Sequence, residues 1–100
     1  MNSRSRTEQR FPVGPVWRDA NVRSGPSLGS PILQLLLPDE RVSHEADAWV
    51  RGDEVVEGSI VSDIWLRLAP GHWCSAVNFH QPTIAGIPAS AELAGGHERT

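Results

Sequence analysis

The chain has 100 residues, 39% of them hydrophobic and 21% charged, with a net charge of −3; that is one domain's worth of core, with no room for a second, and too much apolar character for a disordered chain. All nine basic residues are Arg, and the charge is divided: residues 1–23 carry five Arg against Glu8 and Asp19, while residues 39–63 carry eight acids against Arg41 and Arg51. An acidic middle without a basic stripe of interleaved aromatics excludes nucleic acid as the expected partner.

In chain order, residues 1–14 read as a flexible lead-in: a polar, Arg-rich start followed by FPVGPV, punctuated by Pro12, Gly14 and Pro15. Residues 15–81 carry a period of two. Val42, His44, Ala46, Ala48 and Val50 alternate with Ser43, Glu45, Asp47 and Trp49, and Ile60, Ser62, Ile64, Leu66 and Leu68 alternate with Val61, Asp63, Trp65 and Arg67. This is the pattern of half-buried strands. Turn residues separate the runs at 24–31 (SGPSLGSP), 37–40 (LPDE), 51–54 (RGDE), 57–59 (EGS) and 69–72 (APGH). Residues 82–100, rich in Ala, Gly and Pro, read as a loose tail. The expected fold is all-β, a small barrel of five to six antiparallel strands with flexible ends. Cys74, Ile64, Leu66, Leu68, Val22, Val42 and Val50 are its expected core.

Catalysis and metal binding find no support in the pattern. His44, His72, His80 and His97 are scattered, without a partner at ligand spacing. Cys74 is the only cysteine, so no internal disulfide forms, and its place in a strand marks a small core hydrophobe. Asp53 and Glu54 are neighbours, and neighbours on a strand face opposite ways, so they make no acid–base pair. SGPSLGS leads into a strand and not into a helix, so it is no phosphate loop. No cofactor, no metal and no enzymatic activity are expected.

Two stretches resemble a known family. ANVRSGPSLGSPILQLL at 20–36 is similar to the opening of bacterial Src-homology-three domains, and DIWLRLAPGHWCSAVNF at 63–79 to their closing strands. WVRGDEV at 49–55 resembles the hairpin of versions attached to phage lysins and actinobacterial wall hydrolases. The resemblance covers residues 16–79 and implies a Src-homology-three-like barrel with an aromatic-lined cleft between two loops. It implies a non-catalytic binding module whose ligand is a cell-wall (peptidoglycan) peptide. The alternative is a protein–protein interaction or assembly module, phage-encoded, that grips a protein segment and no wall.

Trp65 is the leading contact. With Ile64 and Leu66 inward, alternation sets it outward beside Asp63 and Arg67, as either a ligand contact or a cover for the barrel edge. Asp63, Asp53 and Glu54 would make an acidic rim for a cationic ligand. Trp73 is expected half exposed at a corner, and Trp49 outward on its strand. Asn78 stands where many family members carry an aromatic, and the polar replacement implies a different ligand or none. Arg23, at the end of its strand, is expected to brace loop carbonyls. The first thirty residues hold no apolar stretch of signal-peptide kind, and the longest apolar run, Ile32–Leu37, is broken by Gln34. No membrane partner is therefore expected. The chain is expected to be cytoplasmic at synthesis and to meet an outside ligand through lysis or aboard a virion.

Overall fold

A computed structural model describes residues 10–93 of the chain. Its longest feature is the hairpin of β5 (Ala48–Glu57) and β6 (Ile60–Ala69). Gly58 and Ser59 turn it, with Gly58 at φ 64°; a positive φ at the first of two turn residues is the glycine-led hairpin turn that matches strand twist. Pro70 and Gly71 then turn β6 into β7 (His72–Ser75), Gly71 at φ 75° supplying the positive angle that a Pro-Gly turn needs at its second position. β2 (Ala20–Arg23) pairs with β7, and β3 (Ile32–Leu36) with β2, giving an antiparallel sheet in the order β3-β2-β7-β6-β5. β1 (Phe11–Gly14) and β4 (His44–Ala46) form a second, two-stranded antiparallel sheet.

The core is where the two sheets meet. Leu66 pairs with Cys74 on one side and Trp49 on the other, so all three face inward. They cluster with Val22, Leu36, Val13, Ala46 and Phe79. The all-β expectation is met, with seven strands in two sheets among the described residues. Cys74, Leu66 and Val22 are buried as expected, and Ile64 and Leu68 pack against them half-buried.

Four expectations are corrected. The lead-in to residue 14 contains β1, whose Val13 is wholly buried, and the expected loose tail from residue 82 is ordered as far as residue 93. There a helical turn, α1 (Gln81–Ala85), and a 3₁₀ turn (Ala89–Ala91) lay Ile84, Ile87 and Ala91 on the core. Residues 1–9 and 94–100 lie outside the described residues. Trp49 is in the core at 5% exposure, its Nε1 donating to Pro88 O at 2.9 Å. The strand run 42–50 breaks at Asp47, and the phase slips there. After the slip Val50 shares the opposite face with its partner Trp65, while Val42 lies ahead of β4, in a turn closed by its N–H on Asp39 O, and falls outside at 45% exposure. A continuous alternation cannot register a break that costs one residue of phase.

Burial pushes the Cys74 thiol up to about 12 from its ordinary 9.0, a hydrogen bond from Asn78 opposing weakly. The folded thiol thus keeps its proton where the unfolded one loses it, so its contribution to stability is intact below pH 9 and is lost as pH climbs toward 12. The sequence has no Lys and no Tyr, which leaves little else to titrate in that window. The denaturation midpoint should fall between pH 9 and 12 and fall much less in Cys74→Ala. Equal pH dependence of the two proteins would show that the thiol is not buried as described.

Candidate functional site: a cleft over Trp65

On the sheet face opposite the core, Trp65 and Ser75 sit side by side across β6 and β7. The loop 24–31 folds over them and is tied to β5. Asp53 N–H donates to Pro26 O at 3.3 Å, and the Asp53 carboxylate accepts from Leu28 N–H at 2.9 Å. Arg23 Nη1 donates to Leu28 O at 3.0 Å and Ser30 O at 2.9 Å, the bracing expected of it. Trp65 Nε1 donates to Asp53 O at 2.9 Å. The close approach needs Gly52, where a Cβ would be driven into the Pro26 carbonyl and come within 2.9 Å of the Trp65 ring.

Beside this loop lies a cleft of about 230 Å³, whose lining includes Trp65 and Val77 with Arg18, Arg23, Glu57 and Asn78. Ser75 caps the 3₁₀ turn Ala76–Asn78, which forms one wall. Trp17 clamps that turn from outside, its backbone N–H donating to Asn78 O at 3.0 Å and its Nε1 to Val77 O at 2.8 Å. Arg18 crosses the cleft, pairing with Glu57 at 3.3 Å and donating to Asn78 Oδ1 at 2.9 Å. Among the described residues Arg23 has no carboxylate partner, and only its Nη1 is engaged by the protein. Larger hollows lie elsewhere, 460 Å³ around Gln34, His44 and His72, 530 Å³ beside Pro88 and Glu92, and 350 Å³ between Trp17 and His80. None of these gathers a residue that the sequence singles out for binding.

The expected site residues divide. Trp65 has the expected phase but not the expected exposure. It is 1% exposed, because the loop 24–31 and the bulge at Gly52–Asp53 cover the face that alternation leaves open. Asn78 is also buried, with its amide spent on Arg18 Nη1, Ser75 O and Cys74 Sγ. Asp53 adjoins the cleft but uses its carboxylate to hold the loop. Asp63 pairs with Arg51 at 2.9 Å, and Glu54 is exposed on β5; neither lines the cleft. Trp73 is half-buried under Arg67, whose guanidinium lies 6.0 Å from its ring centre and is forked by Asp47 at 2.8 and 3.2 Å.

The chain matches no protein-family model, no curated protein and no solved structure.

Sequence reasoning missed Arg18, Asn21 and Glu57 as cleft residues. Arg18, in the bend before β2, and Glu57, at the end of β5, meet from distant parts of the chain, so no local spacing signals the pair. Chemically the cleft offers the Arg23 guanidinium beside the Arg18–Glu57 ion pair, which suits a short chain carrying both charge signs.

Trp65→Ala should cost about 3–5 kcal/mol in chemical denaturation, as for a large buried ring. Gly52→Ala should cost about 1–3 kcal/mol, because the Pro26 backbone must move to admit one methyl. Wild-type stability in both variants would show that the loop does not close on the ring.

Proposed function

We propose that the chain is a non-catalytic binding module that holds a short peptide in the cleft over Trp65, and that its ligand class is the bacterial cell-wall peptide. The observation that carries this reading is Arg23, a cation at the cleft with no carboxylate of its own, set near the Arg18–Glu57 pair. Desolvated guanidinium donors recognise carboxylates in a fixed geometry, and wall peptides offer free carboxylates and amines on a short polar chain. The small all-β architecture and the loop folded against β5 accord with the resemblance to bacterial Src-homology-three domains, in which a cleft between loops takes the ligand. Asp53 and Asp63 keep protein partners, so the ligand's carboxylate, more than its amine, makes the anchoring contact. Such a module meets the wall after lysis or as part of a virion. Among the described residues no helix is long and apolar enough to cross a membrane.

A second reading is a protein-interaction or assembly module, phage-encoded, with no affinity for wall. The observation that favours it is the row of exposed apolar side chains on β3, which a wall peptide does not need.

Cosedimentation with purified peptidoglycan sacculi separates the two. The wild type should pellet with sacculi, and Arg23→Ala should weaken that binding at least tenfold, about 1.4 kcal/mol, while Cys74 stays protected from thiol reagents in the native protein. Wild type left in the supernatant favours the assembly reading. Equal pelleting by Arg23→Ala places the wall contact outside the cleft.

A further inference from the structure

The five-stranded sheet has two edges, and the chain treats them differently. At β5 the C-terminal segment caps the start of the edge: Leu93 N–H donates to Trp49 O at 2.9 Å, and Trp49 and Glu92 form a parallel bridge. At the other end, among the described residues, β3 pairs with β2 alone. Its outer backbone edge is open, and Ile32, Leu33, Leu35 and Leu37 are each between 48% and 61% exposed. An open strand edge is usually guarded by charge, proline or a bulge; here Pro31 and Pro38 only flank the strand, and the one shift of register, at Leu33, is in its ladder with β2. From Pro31 to Pro38 this chain has no charge, and Gln34 is the only polar side chain.

We propose that β3 is a self-association edge, on which a second copy of this chain adds its own β3 antiparallel, so that the two five-stranded sheets become one. The occupant of an open edge must be a strand, because only a strand satisfies a row of backbone donors and acceptors. Three features select another β3. An antiparallel pair about a two-fold axis sets residue i against residue j with a constant sum. Centred on Gln34, that register places Leu33 against Leu35, Ile32 against Leu36, and Gln34 against its own copy. Apolar side chains then face apolar ones, and the two amides can exchange hydrogen bonds. The area suffices for a weak pair: four half-exposed aliphatic side chains and the strand edge offer at most roughly 500 Å² per copy. Two copies bury up to about 1,000 Å² together, the size of a weak, reversible interface. Finally, the opposite edge, β5, is bonded at Trp49 and Asp53 and carries Arg51, Asp53, Glu54 and Glu57 along its length, charges that guard it, so among the described residues β3 is the one unguarded edge of this sheet in each copy. Joining β3 to β3 uses both, so assembly stops at two copies.

Sedimentation equilibrium tests this with the 10.9 kDa chain over low to several hundred micromolar. The wild type should pass from one chain to two, and amides of residues 32–36 should gain hydrogen-exchange protection with concentration. Leu35→Lys places a charge on each side of the seam and should weaken association at least tenfold. Gln34→Glu sets two carboxylates face to face, so it should be monomeric at pH 7 and pair again below about pH 4, where carboxylates take up protons, with the wild type at that pH as control. If Leu35→Lys does not fold, shown by native labelling of Cys74, the pH response of Gln34→Glu decides alone. A wild type that stays single throughout overturns the proposal. So does a dimer that neither variant weakens, or an open-ended series of larger species.

Discussion

The hydrogen bond from the Trp65 indole to the Asp53 carbonyl joins the two halves of the outer face. Trp65 belongs to β6 and Asp53 to the bulged part of β5, and Asp53 in turn holds the loop 24–31 through its N–H and its carboxylate. The ring therefore needs the loop to stay dry, and the loop needs the bulge to stay close. A bulge leaves residues outside the ladder with backbone groups to spare, and Asp53 gives those groups to Pro26 and Trp65. The cleft borders this assembly, so its shape depends on the same contacts.

On the core side, Leu66, Cys74 and Trp49 lie in cross-strand line, and the C-terminal segment packs on them from Ile84 to Ala91. The sheet is thus covered on both faces near β6, by the core below and by the loop above. This explains why Trp65 and Leu66, neighbours that must point opposite ways, are both buried. It also explains why one strand carries two of the largest buried side chains in so small a chain.

The period-two runs made the strand class and the Leu66–Cys74 core legible in the sequence, since alternation reports directly which residues share a face. The turns at Gly58–Ser59 and Pro70–Gly71 were legible for the same local reason. What alternation cannot report is whether a face is covered by something remote. Trp65 was placed on the correct face and wrongly left in solvent, because the covering loop lies some forty residues earlier in the chain. The same holds for Arg18, Glu57 and Asn78, whose meeting is a product of strand order. Trp49 was misplaced by a different cause, the break at Asp47 that a regular alternation hides. The segment 82–93 carried no periodic signal, as it docks through scattered Ile84, Ile87 and Ala91 and a few backbone bonds.

Three of the four indoles donate to a backbone carbonyl far along the chain: Trp17 to Val77, Trp49 to Pro88 and Trp65 to Asp53. Each indole thereby staples a different segment, respectively the 3₁₀ turn, the C-terminal strap and the loop-bearing bulge. With no tyrosine in the chain, its ultraviolet emission comes from these rings and Trp73 alone. Opening of the strap wets Trp49 and leaves Trp65 dry, while lifting of the loop does the reverse. Single tryptophan-to-phenylalanine replacements thus turn the protein's own fluorescence into a map of which strap loosens first, without an added label.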